Sequence, residues 1–160
     1  MTSNTATSVT SCETSTACRV AADKCQIVLA GLHDSLDGYR QCAADTKDTP
    51  MRLLFDKIAS SRADLISLLS NSIRVDLGVE PIKSGSPLAA AHRTWIDVKA
   101  WFTDGRDKSA IISEVHLGEE ALIKLYETAI EDSDIPLKLR DLLHAQVKII
   151  KEQNASVDAI

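Results

Sequence analysis

Aromatic residues make up only 4% of the 160-residue chain, and glycine and proline are sparse at 6 and 4. That scarcity excludes a collagen-like repeat and a low-complexity linker. Four cysteines are too few for a disulfide scaffold. Cys12, Cys18, Cys25 and Cys42 also lack the C-x-x-C spacing of a zinc site or a thioredoxin-like motif. They read as buried or tail thiols, with a redox or metal role as the alternative. Basic residues are outnumbered, 18 Lys and Arg against 23 Asp and Glu, for a net charge of −5. Neither nucleic acid nor an anionic membrane surface is therefore an expected partner. No apolar run approaches the ~18–20 residues that span a bilayer. Met1 to Ser15 has no basic start and no apolar core, so it is not read as a secretory signal and a cytoplasmic location is expected. A Gly-rich phosphate loop, a G-x-S-x-G elbow and an H-E-x-x-H pair are all missing.

What is present is apolar periodicity. With 44% hydrophobic residues, the chain is long enough for one domain burying roughly 68–70% of its unfolded surface. The first 16 residues contain ten Ser or Thr, which predicts a disordered tail over 1–17 and a folded domain over 18–156. Cys25, Leu29, Leu32, Leu36, Tyr39 and Ala43 recur at helical steps and predict a first helix over 18–46. Thr49-Pro50 reads as the cap and first turn of a second helix carrying Met51, Leu54, Phe55, Ile58, Leu65, Leu69 and Ile73, closed by Gly78. A short helix is expected over 87–103, a long one from the Asp107 cap to about Ile130, and a last one from an Asp134 cap to about Asn154. No segment alternates with period two. The turns at 47–49 and 131–134 are short, whereas the link between the second and third long helices is not. Two hairpins joined by one long crossover predict an all-α, ferritin-like antiparallel four-helix bundle with a short extra helix in the crossover.

Bundles do their chemistry with inward side chains, so the helical angle of each polar residue matters. At 100° per residue, Glu119 lies about 40° from the centre of the Val115/Leu122/Tyr126 stripe, and Arg62 about 40° from that of Ile58/Leu65/Leu69. Gln146 falls among Leu139, Leu142, Leu143 and Ile150, and Tyr39 belongs to the first helix's core stripe. The inward polar set is thus Tyr39, Arg62, Glu119, Tyr126 and Gln146. An Arg62–Glu119 ion pair is expected within it, because either charge buried alone would be costly.

A di-iron centre would want a Glu from each of two helices and Glu-x-x-His from the other two. The chain has no Glu-x-x-His, and only one carboxylate is clearly inward. No cofactor is therefore expected. The alternative is an iron or manganese site using Glu114, His116 and Glu119, and a second alternative is a small-ligand pocket with Arg62 as anion anchor. The four histidines stand singly and read as surface or boundary residues, although His92 lies beside Trp95 near an apolar face.

The run Gly85-Ser86-Pro87-Leu88-Ala89-Ala90-Ala91-His92-Arg93-Thr94-Trp95-Ile96-Asp97-Val98-Lys99, followed by Gly105-Arg106-Asp107, Glu114 and Gly118-Glu119, resembles an uncharacterised bacterial family of ferritin-like four-helix bundles. His92, Trp95 and Asp97 are its motif positions. The first helix agrees at Asp34 and Gly38-Tyr39-Arg40, the second at Arg62, and the connector at Leu77-Gly78-Val79-Glu80-Pro81. The resemblance implies the fold and leaves the role open. Positions where the family often carries Glu or His hold Ala44 or Asp45, Ser61, and Gln153 or Asn154 here, so metal-type positions look depleted while Arg62 and Glu119 remain. The reading is a non-catalytic bundle with a structural polar network. Its expected work is interaction or assembly, in a stress setting, with a homo-oligomer or a protein partner.

Overall fold

The computed structural model describes residues 16–85, Phe102 and 107–160, and among them every regular element is a helix. The helices are α1 (Thr16–Asp45), α2 (Thr49–Leu77), α3 (Lys108–Ile130) and α4 (Leu137–Val157). The tail at 1–15, the short helix expected over 87–103 and the motif residues His92, Trp95 and Asp97 lie outside the described residues, apart from Phe102, which is helical. Helix α1 already includes Thr16 and Ala17, two residues that composition alone assigns to the tail.

Local chemistry sets the helix ends. Asp48, not Thr49, caps α2: its carboxylate accepts the Met51 N–H at 2.9 Å, leaving Pro50 in the first turn, where no intrahelical N–H is needed. Gly78 closes α2 at φ 66°, a left-handed conformation that suits glycine. Asp107 caps α3 as expected, accepting from Ala110 N at 2.8 Å. Asp134 does not cap α4. Its own N–H donates to Asp132 Oδ1 at 2.8 Å, and α4 starts after Pro136 with no side-chain cap. Burial of Ile135 draws the chain inward at that turn, and the helix begins two residues later than an Asp134 cap would start it. Cys18 is held in a disulfide, correcting its reading as a thiol. Cys25 and Cys42 are free and buried, and burial pushes the Cys25 thiol up to about 12.

Helix α1 packs on α2 and α3, and α4 packs on the same two. Ion pairs fix the directions. Lys24 near the start of α1 meets Asp132 just after α3 at 2.7 Å, and Lys138 at the start of α4 meets Asp76 at the end of α2, also at 2.7 Å. Neighbouring helices are therefore antiparallel, while α2 and α3 run parallel across the diagonal. That arrangement requires the chain to travel the length of the bundle between Leu77 and Lys108. Its first stretch does so along α1. The Gln26 amide donates to Glu80 O at 2.8 Å and accepts from Ile82 N at 3.0 Å. Eight residues further along α1, Gly85 sits so close to Asp34 that a Cβ would fall 2.0 Å from its carboxylate oxygen. Phe102 then packs against the far end of the core.

Among the described residues the core forms two apolar clusters. The lower one centres on Leu29, Leu32, Leu65, Leu69, Leu122, Tyr126, Leu143 and Ile150. The upper one centres on Leu36, Tyr39, Phe55, Ile58, Ile111, Val115 and Val157. Between them each helix changes from apolar to polar for one position.

Candidate functional site

The boundary between the clusters is a polar layer with one side chain from every helix: Ser35 from α1, Arg62 from α2, Glu119 from α3 and Gln153 from α4. Each has an apolar core position three or four residues away on either side along its own helix, such as Leu32 and Tyr39 around Ser35 or Val115 and Leu122 around Glu119. The 3.6-residue repeat therefore turns all four inward at one height.

Arg62 is the hub. It is fully buried, the largest such side chain among the described residues. Its Nη2 donates to Glu119 Oε2 at 2.5 Å, its Nε donates to Ser35 Oγ at 3.1 Å, and its Nη1 donates to Gln153 Oε1. One guanidinium thus binds the other three helices, a use of its rigid fork of donors that a lysine could not copy. Its carbon centre also stands 5.7 Å from the Tyr39 ring centroid, and that ring packs on Phe55 at 5.7 Å.

Glu119, also fully buried, completes the pair. Ser35 Oγ donates to its Oε1 at 3.2 Å, and the Tyr39 hydroxyl hydrogen-bonds the same carboxylate. Burial pushes the carboxyl up from its ordinary range, and the Arg62 charge and the hydrogen bonds from Ser35, Tyr39 and Arg62 oppose that rise. Burial likewise drives the Tyr39 phenol upward, with the Glu119 charge adding to it, so the hydroxyl stays a donor. The charges of Arg62 and Glu119 cancel within the layer, and its hydrogen bonds satisfy both groups, the condition under which a buried ion pair is tolerated.

Of the inward residues expected from sequence, Tyr39, Arg62 and Glu119 meet in this layer. Tyr126 and Gln146 form a second, separate contact about 10 Å further along α3. There Tyr126 donates to Gln146 Oε1 at 2.8 Å, and the Gln146 amide donates to the Leu65 carbonyl at 3.0 Å. Sequence reasoning misses Ser35 and Gln153, although both lie on core stripes. Ser35 is three residues after Leu32 and four before Tyr39, and Gln153 is seven after Gln146.

Glu114, His116 and Glu119 do not converge. Glu119 faces Arg62, Ser35 and Tyr39. Glu114 projects about 140° around the helix from it. His116 is partly exposed at the α3–α4 edge, where its Nδ1 is 2.6 Å from Asn154 Oδ1 and its Nε2 2.8 Å from Asp158 Oδ1. Among the described residues, no three His, Cys, Asp or Glu side chains stand close enough together to hold a metal ion. A cation at Glu119 would have to displace a guanidinium. This donor set does not fit a ferritin-type metal centre. Nor does Arg62 offer a free anion anchor, since a carboxylate already neutralises it.

The family model described as "Domain of unknown function (DUF2383)" matches residues 21–132. The chain belongs to that family. The match takes in the helices that supply Ser35, Arg62 and Glu119, and ends before the one that supplies Gln153. No curated protein matches the chain in sequence. Among solved structures, a mutant of Mycobacterium smegmatis Dps1 is similar, with a TM-score of 0.69 over 89% of this chain and 95% of that one. At 18% identity the likeness concerns the fold, and it makes this DUF2383 member a ferritin-like, all-α four-helix bundle. Among the described residues, no helix is long and apolar enough to cross a membrane.

Proposed function

We propose that this chain is a non-catalytic ferritin-like bundle that works by interaction or assembly, with a second copy or a protein partner, and that its central polar layer is structural. One observation carries the reading: both groups of the Arg62–Glu119 pair are fully buried, and each is bonded to side chains of its own chain. A catalytic or metal-binding carboxylate needs an open approach to its oxygens, whereas Glu119 is fully buried with its carboxylate against Arg62, Ser35 and Tyr39. The bacterial and stress-related setting rests on the family resemblance alone.

The test combines metal analysis with a stability measurement on the full chain. Protein purified without an affinity tag is assayed for iron and manganese, titrated anaerobically with Fe(II), and given a pulse of oxygen. Under our reading it binds neither metal and develops no charge-transfer band, while Glu119→Gln lowers the melting temperature markedly. Stoichiometric Fe(II) uptake that Glu119→Gln abolishes, with little change in the apoprotein's melting temperature, would reverse the assignment.

A further inference from the structure

The last two turns of α4 carry two consecutive residues with different duties. Gln153 points inward and accepts from Arg62. Asn154 points to the α3 edge and meets His116 Nδ1 at 2.6 Å. Four residues on, Asp158 closes the helix and meets the other ring nitrogen at 2.8 Å. Ser156 adds a bond to the Gln153 carbonyl at 2.6 Å, and Val157 is fully buried in the upper cluster. His116 therefore grips the stretch of α4 that closes the polar layer.

The geometry decides what the ring must be. Both ring nitrogens face oxygen acceptors, and an imidazole can donate from both only when it carries its second proton. A neutral ring keeps one donor, so one of the two contacts is lost or must be remade by rotation of the Asn154 amide. The charged groups acting on the ring are Asp158 from α4 and Glu120 from its own helix. Both are negative and favour the imidazolium.

We infer that His116, Asn154 and Asp158 form a proton-dependent latch on the end of α4, which seals the Gln153–Arg62 side of the polar layer when His116 is charged and loosens it when His116 is neutral. The balance at the ring agrees. Partial burial pulls its pKa down, the hydrogen bonds to Asp158 and Asn154 and the nearby negative charges push it up, and the net direction is up. The latch contribution is then complete below the ordinary histidine value of about 6.5 and fades as pH climbs through the raised folded value.

Amide hydrogen exchange tests this on the intact chain. Protection of the amides at 154–157, corrected for the intrinsic pH dependence of exchange, is compared at pH 5.5 and pH 8 for wild type, His116→Gln and Asp158→Asn. Wild type should lose protection roughly two- to fivefold across that range, the size expected of a partly exposed ion pair. His116→Gln should show no pH step and sit at the high-pH level. Asp158→Asn should shrink the step and lower the His116 midpoint followed by NMR. Equal corrected protection at both pH values in wild type, or a step that survives in His116→Gln, overturns the latch. Neither result bears on whether Glu119 binds metal, so the two readings stand or fall apart.

Discussion

Arg62 is worth considering as an isolated choice of residue. A buried guanidinium with no partner would cost several kcal/mol to desolvate, and a pair well satisfied by hydrogen bonds brings that cost back toward zero. The value of the contact is therefore asymmetric. Removing one partner should be far worse than removing both. Glu119→Gln and Arg62→Met should each destabilise the fold by about 3–5 kcal/mol, whereas Arg62→Met combined with Glu119→Leu should cost much less than the sum of the singles. Urea unfolding of the variants beside wild type measures this directly, and additive losses would show that the two charges do not act as a pair. Both residues can be found from sequence because each falls within one helical step of an apolar stripe and is too polar to be there by default. Ser35 and Gln153 are equally well placed but escape such a reading, since a small hydroxyl or an amide on a core stripe signals nothing until its partner is known.

The helices show the same division between what patterning decides and what neighbours decide. Apolar periodicity is enough to place α1, α2, α3 and α4 in order and to close α2 at Gly78, because 3.6-residue spacing and a left-handed glycine are local properties. The starts are harder to place. Asp48 and Thr49 are adjacent and both can cap, and the choice falls to the one whose carboxylate reaches Met51 N. At α4 the choice depends on burial of Ile135 and on Asp132, which is held at 2.7 Å by Lys24 on another helix. No local rule contains that information. The caps themselves can be tested. Asp48→Ala should destabilise by about 1 kcal/mol, and Gly78→Ala by about 1 kcal/mol or more, because an L side chain resists positive φ. Thermal unfolding of each variant checks both values. Asp134→Ala, by contrast, should have almost no effect, since its side chain caps nothing.

Across the whole molecule, the polar layer separates two apolar clusters that alone could pack in more than one register. Sliding a helix by one turn would keep most leucines against leucines, but it would pull a buried charge away from its partner. Replacing Ser35, Arg62, Glu119 and Gln153 together by apolar residues of similar volume, with Tyr39→Phe so that no buried hydroxyl loses its acceptor, should therefore leave stability equal or higher while degrading uniqueness. The expected signs are an undiminished urea midpoint alongside poorer NMR dispersion and new binding of a hydrophobic dye. A variant that kept full dispersion would show that packing alone selects the register. The fold class is legible from the chain because two short turns and one long link leave few arrangements, but the layer as a unit is not, because it exists only when four helices are in place. That interdependence has an evolutionary side. A hub that donates to three other helices cannot drift by single steps, since the first replacement at any of the four positions leaves a buried group without its partner. Positions 35, 62, 119 and 153 should therefore be inherited as one character, retained together in some lineages and lost together in others.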